Sequence, residues 1–153
     1  MPVSLVLVSH SQQLAAGLRE LAAQMAHDVK IVAAGGLDDG GIGTSFDKIN
    51  TAVGDLRREG SEVLILTDLG SATMTVESVL DFLDDERVIF VNAPFVEAAV
   101  AASAAAQGGK NLPECAQAAR DSVNIFIADT SADIENINAT SDYKKSNTHV
   151  QCA

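Results

Sequence analysis

One feature of this chain constrains its fold more than any other. Short runs of β-branched residues and leucine alternate with amphipathic or alanine-rich stretches along most of its length. Val3–Val8, Val29–Ala34, Val63–Thr67 and Val88–Val91 are nearly continuous apolar runs, as expected of strands buried on both faces. Between them, apolar residues recur at helical spacing: Leu14, Leu18, Leu21 and Met25, then Ile49, Val53 and Leu56, then Val76, Val79, Leu80 and Leu83. Strands alternating with helices predict an α/β fold: an open, mostly parallel sheet with helices on both faces and core strand order 2-1-3-4. Ser11, a Thr44–Asp47 capping box and Ser71 mark helix starts. Pro94 suits the first turn of an alanine-rich helix that Gly108 and Gly109 end, and Pro113 opens a last helix to about Ile127.

At 153 residues the chain fits one domain with a proper core. Residues 1–128 are expected to form it, and 129–153, rich in Ser, Thr, Asn and Asp, read as a polar tail or linker. The net charge of −11 is the wrong sign for neutralising phosphates, so nucleic acid is excluded as a partner. An anionic membrane surface repels the chain for the same reason. The opening apolar run is too short for a span or a signal peptide. Cys115 and Cys152 have no CxxC spacing, so no metal site is expected, and Cys115 reads as a small core residue. A reducing cytoplasm is the expected location.

In a parallel sheet, chemistry gathers at the carboxyl ends of the strands near the switch point of strand order, here between the first and third strands. Four segments should converge there: Ser9-His10-Ser11, the glycine loop ending in Gly43-Thr44-Ser45, Asp68-Leu69-Gly70-Ser71, and Asn92-Ala93-Pro94. His10 is the rim's nucleophile near neutral pH. Asp68 could hold one ring nitrogen and free the other, while helix starts near Thr44 and Ser71 suit a phosphoryl group. Read from the residues alone, a second interpretation stays open: His10 as a hydrogen-bonding strand end, with Asp68, Thr44 and Ser45 as helix caps. His27, at the end of the first helix, and His149, in the tail, are given no chemistry. A receiver domain needs an acidic pair after its first strand and a serine hydrolase needs GxSxG, and the sequence has neither; a flavodoxin-type module needs a hydroxyl-rich phosphate loop and flanking aromatics, and only 4% of the residues are aromatic, with no tryptophan.

LVLVSHSQQLAAGL, AGGLDDGGIGTSFDKI, ILTDLGSA and VNAPFVEAAVAA, in this order, resemble the phosphotransferase subunit of the bacterial dihydroxyacetone kinase system, a relative of the mannose-type IIA domains. The resemblance covers residues 1 to 128. It implies that His10 is phosphorylated by the carrier protein HPr, which draws on phosphoenolpyruvate through enzyme I. The group then passes to ADP on a partner kinase subunit, and the ATP formed phosphorylates dihydroxyacetone. It further implies that Asp68 supports His10, that Gly43, Thr44, Ser45, Gly70 and Ser71 edge the phosphate pocket beside Ser9 and Ser11, that no cofactor is bound, and that the protein is a homodimer. A mannose-type sugar-transport component and a regulatory phosphocarrier remain as alternatives.

Overall fold

The computed structural model describes residues 1–124; the tail, with His149 and Cys152, and the expected end of the last helix at Ile127 lie outside the described residues. The elements run β1 (Val3–Ser9), α1 (Gln12–Ala23), β2 (Ile31–Gly35), α2 (Phe46–Arg58), β3 (Glu62–Thr67), α3 (Gly70–Leu83), β4 (Val88–Phe90) and α4 (Phe95–Gln107), followed by α5 over 112–124. The strands form one parallel sheet in the order β2-β1-β3-β4. This is the expected topology, with its switch point between β1 and β3.

Alternation along β1 and β3 divides the core in two. Leu5, Leu7, Leu64 and Leu66 face a layer made by α1, α4 and α5, with Leu18, Ala98, Ala102 and Cys115. Val6, Val8, Val63 and Ile65 face α2 and α3, through Ile49, Val53, Val76 and Val79. Burying such a side chain contributes about 1.5–3 kcal/mol, so these two clusters are what hold the sheet's rim in place.

Several boundaries and one helix face differ from expectation. The buried face of α1 is Ala15, Leu18 and Ala22, whereas Leu14, Leu21 and Met25 are exposed. The helix packs through alanines because it sits very close to β2. β2 starts at Ile31, since Val29 N–H still closes a turn on Ala26. α2 is capped by Ser45, which accepts the Lys48 N–H at 3.2 Å, so Thr44 is not the cap. α3 starts at Gly70 behind Leu69, without a side-chain cap, because the Ser71 hydroxyl is turned elsewhere. Pro94 is the N-cap of α4, just outside its first turn. α1 ends at Ala23, so His27 lies beyond it, exposed in the connecting turn. α5 begins with a reciprocal capping box that the sequence reading missed: Asn111 Oδ1 accepts the Glu114 N–H and Glu114 Oε1 accepts the Asn111 N–H.

Gly35 ends β2 under the first turn of α1. A Cβ there would lie 2.5 Å from the Ser11 carbonyl oxygen and 2.7 Å from Ala15 Cβ. Both obstacles are rigid, so Gly35→Ala is expected to lower stability by about 1–3 kcal/mol in denaturant unfolding. An unchanged midpoint would show that the helix has room to lift.

Candidate active site

β1 and β3 are neighbours in register, so the residues that follow them emerge side by side: Ser9-His10 from one and Asp68 from the other. The Asp68 carboxylate gathers four donors. Oδ2 accepts the Ser9 hydroxyl at 2.9 Å and the His10 N–H at 3.0 Å. Oδ1 meets His10 Nδ1 at 3.0 Å and accepts the Leu69 N–H at 2.7 Å. Burial pushes the Asp68 carboxyl up, but the donors from His10, Ser9 and Leu69 outweigh it and hold the group below its ordinary value. It is therefore an anion at neutral pH and can only accept, which makes Nδ1 the protonated ring nitrogen.

That choice of tautomer leaves the lone pair on Nε2. Nε2 lies 2.7 Å from Ser71 Oγ, whose hydroxyl donates to it. The imidazole is only 21% exposed and the Asp68 side chain 8%, so the pair is recessed below the surface. α3 opens at Gly70, and the positive end of its dipole faces the same side of the ring. A nucleophilic nitrogen, a buried carboxylate behind it and a helix N-terminus beside it together suit the transfer of an anionic group.

The remaining rim residues divide by what they touch. Ser11 donates its N–H to Ser9 Oγ at 3.0 Å, and its own hydroxyl caps α1 through the Leu14 N–H. Gly36 N–H and Gly43 N–H donate to the carbonyls of Ser9 and His10 at 3.0 and 2.9 Å, strapping the glycine loop across the end of β1. Gly43 has φ +149, and a Cβ there would lie 2.8 Å from Leu37 Cδ2, so glycine is required. Thr44 pairs with Thr75 of α3 at 2.8 Å. Ser45, besides capping α2, donates to Asp38 at 2.7 Å. Ser9, Ser11, Gly43, Asp68 and Ser71 are thus bonded into one cluster around His10, and Thr44, Ser45 and Gly70 border it.

Two contributors were missed in the sequence. Thr75 stands one turn after Ser71 on α3, a spacing that marks the same helix face. Lys48 holds the glycine loop, its ammonium donating to the carbonyls of Gly35 and Leu37 at 3.0 and 3.1 Å. A lysine in the first turn of a helix opposes the dipole, and that misplacement was its available signal. Elsewhere, burial and the neighbouring Glu114 raise the Cys115 thiol, consistent with an inert core residue. Among the described residues no group of three His, Cys, Asp or Glu side chains is arranged to hold a metal ion.

The profile of the EIIA-man family, the PTS system fructose IIA component, matches residues 4–115. The chain belongs to the EIIA-man family. Among its relatives, the phosphotransferase subunit DhaM of the PTS-dependent dihydroxyacetone kinase of Lactococcus lactis is 40% identical over 109 residues, covering 71% of this chain and 86% of that protein. The phosphoryl donor subunit DhaM of the PEP-dependent dihydroxyacetone kinase 1 of Listeria innocua is 42% identical over 106 residues, covering 69% and 83%. A DhaM of Providencia stuartii is a longer protein: the 42% identity there spans 73% of this chain and 25% of the relative. A solved structure of a protein of unknown function, EF1359, superposes with a TM-score of 0.72 at 31% identity, covering 79% of this chain and 95% of that one. A sigma-54 interaction domain protein from Enterococcus faecalis shares the fold at a TM-score of 0.61 and 17% identity, covering 88% and 96%. No helix of the described part of this EIIA-man chain is long and apolar enough to cross a membrane.

Proposed function

We propose that this EIIA-man protein is the phosphoryl donor subunit of a phosphoenolpyruvate-dependent dihydroxyacetone kinase, with His10 as its carrier. The observation that carries the reading is the arrangement of one ring: Nδ1–H on the Asp68 carboxylate, and an unprotonated Nε2 turned toward Ser71 and the start of α3. The names of the relatives point to the same system. The immediate donor is HPr, charged from phosphoenolpyruvate by enzyme I in the cytoplasm, and the acceptor is ADP on a partner kinase subunit.

In the first half-reaction the Nε2 lone pair attacks the phosphorus of phospho-HPr. The N–P bond to the donor histidine breaks as the bond to Nε2 forms. The proton on Nδ1 stays, so the ring becomes a cation balanced by Asp68, which also keeps it a good leaving group. The Ser71 hydroxyl, no longer needed by Nε2, turns to a phosphoryl oxygen. Gly70 and Ser71 N–H groups, with Thr44 and Gly43 opposite, border the remaining oxygens; Ser9, Ser11 and Ser45 act one step back by holding the strand and helix ends. In the second half-reaction a β-phosphate oxygen of ADP attacks the same phosphorus, and His10 returns to its neutral tautomer. We assign the homodimer to the β4 edge of the sheet, which has β3 on one side only and carries half-buried Ile89 and Phe90.

The test mixes phosphorylated protein with dihydroxyacetone kinase subunits, ADP and dihydroxyacetone. The expected result is loss of the phosphoryl group with matching formation of dihydroxyacetone phosphate. The family's description as a sugar phosphotransferase component favours one competing acceptor. Rapid transfer to a sugar permease subunit, with none to the kinase, overturns the reading.

A further inference from the structure

Three side chains at the rim are joined end to end. Asp68 Oδ1 meets His10 Nδ1 at 3.0 Å, and Nε2, on the far side of the ring, accepts the Ser71 hydroxyl at 2.7 Å. Carboxylate, imidazole and hydroxyl stand in series, each link within hydrogen-bond reach, which is the resting geometry of a Ser-His-Asp triad. Such triads are defined by geometry and roles, and GxSxG is only one fold's way of presenting the serine. The hydroxyl end is open to solvent: Ser71 is exposed, whereas the Asp68 side chain is only 8% exposed. Ser71 is the second residue of α3, and among the described residues the Gly70 and Ser71 N–H groups have no acceptor. An oxyanion on a carbon bound to Ser71 Oγ would form beside these two donors, at the positive end of the helix.

We infer that Ser71, His10 and Asp68 give this chain a second activity, acyl transfer to and from Ser71, with small neutral esters as its substrate class. The Ser71 oxygen bonds to the acyl carbon as its proton passes to Nε2, and Asp68 balances the imidazolium through Nδ1–H. When the C–O bond to the alcohol breaks, Nε2–H gives that proton to the departing oxygen. A water deprotonated by Nε2 then attacks the acyl-serine. The bond to Oγ breaks, Oγ takes the proton back, and the carboxylic acid leaves. The sum is ester plus water to acid plus alcohol, with no further reactant. Leu69 and Met74, two residues before and three after Ser71, are 62% and 71% exposed and offer an acyl chain apolar contact. The net charge of −11 repels anionic acyl carriers, which favours neutral ones. This activity needs the hydrogen-bond series alone and holds whether or not His10 carries a phosphoryl group. A phosphoryl group on Nε2 would occupy the base, so the two chemistries exclude each other.

Two probes read the activity on the intact chain. Cleavage of p-nitrophenyl acetate releases a coloured phenolate. With diisopropyl fluorophosphate, Ser71 Oγ displaces fluoride and keeps the diisopropylphosphoryl group as a stable added mass. The folded wild type is expected to release phenolate and to gain one such group on Ser71, located by peptide mass spectrometry, while the urea-unfolded chain gains none. Ser71→Ala, whose fold is checked by circular dichroism, should lose the label and at least about 10-fold of the esterase rate. Asp68→Asn and His10→Ala should each slow labelling by about 10²-fold or more. Esterase activity retained in Ser71→Ala means that His10 takes the acyl group directly, and it overturns the triad. So does label on any other residue, equal labelling of the unfolded chain, or no label on the wild type. None of these results touches phosphorylation from phosphoenolpyruvate, enzyme I and HPr, which tests the carrier reading separately.

Discussion

His10→Ala is expected to leave the chain unable to hold a phosphoryl group. Incubated with phosphoenolpyruvate, enzyme I and HPr, the wild-type protein should gain the mass of one phosphoryl group, labile to acid and stable to alkali as a phosphoramidate is, and the variant should gain nothing. His27→Ala and His149→Ala are expected to behave as wild type: His27 is exposed in the turn after α1, away from the hydrogen-bond cluster around Asp68. Intact-mass spectrometry at neutral pH decides it. Label that persists in the His10 variant places the carrier elsewhere and removes the basis of the proposed mechanism.

Asp68→Ala is expected to slow phosphorylation of His10 by about 10²–10³-fold, the scale on which a preorganised electrostatic partner acts. Without the carboxylate, nothing selects the Nδ1–H tautomer, and the cation that forms on the ring is unbalanced. The variant should also be less stable, by about 1–3 kcal/mol, because the Ser9 hydroxyl and the His10 N–H lose their acceptor in a recessed place. A plain helix cap would cost about 1 kcal/mol and leave the rate alone; the N-cap of α3 is in any case Leu69. Acid separates the contributions. The Asp68 carboxyl titrates lower in the folded chain than in the unfolded one, so its stabilisation is complete above about pH 4, the unfolded value. It fades as pH falls through the lower, folded value. The stability gap between wild type and Asp68→Ala therefore narrows in acid. A gap that widens in acid contradicts this account.

The parts of the site that were legible in the sequence are those carried by strand ends. A parallel sheet forces whatever follows β1 and β3 onto one edge, so His10 and Asp68 could be placed together from the pattern of apolar runs. What was not legible depends on distances of an ångström or two. Leu14 and Leu21 of α1, and Met25 just beyond its end, are large apolar residues that periodicity alone favours for the core beside Leu18. The close approach of α1 to Gly35 sets Ala15 against the end of β2, and the buried face continues through Leu18 and Ala22. Thr44 and Ser45 are equivalent as caps in sequence; the pairing of Thr44 with Thr75 is what hands the cap to Ser45. Ser71 reads as a cap for α3 until the ring of His10 is seen to occupy its hydroxyl.

The binding of Nδ1 by Asp68 also sets the rhythm of the protein's work. With Nδ1 engaged by Asp68, His10 has a single ring nitrogen able to carry a group, Nε2. In the proposed relay, a protein bringing the phosphoryl group and a protein collecting it must therefore visit in turn, each leaving before the other arrives. Donor and acceptor are rivals for the same doorway, so an excess of either slows the relay. Throughput is then governed by how quickly spent visitors depart, which favours brief, weak encounters over tight complexes.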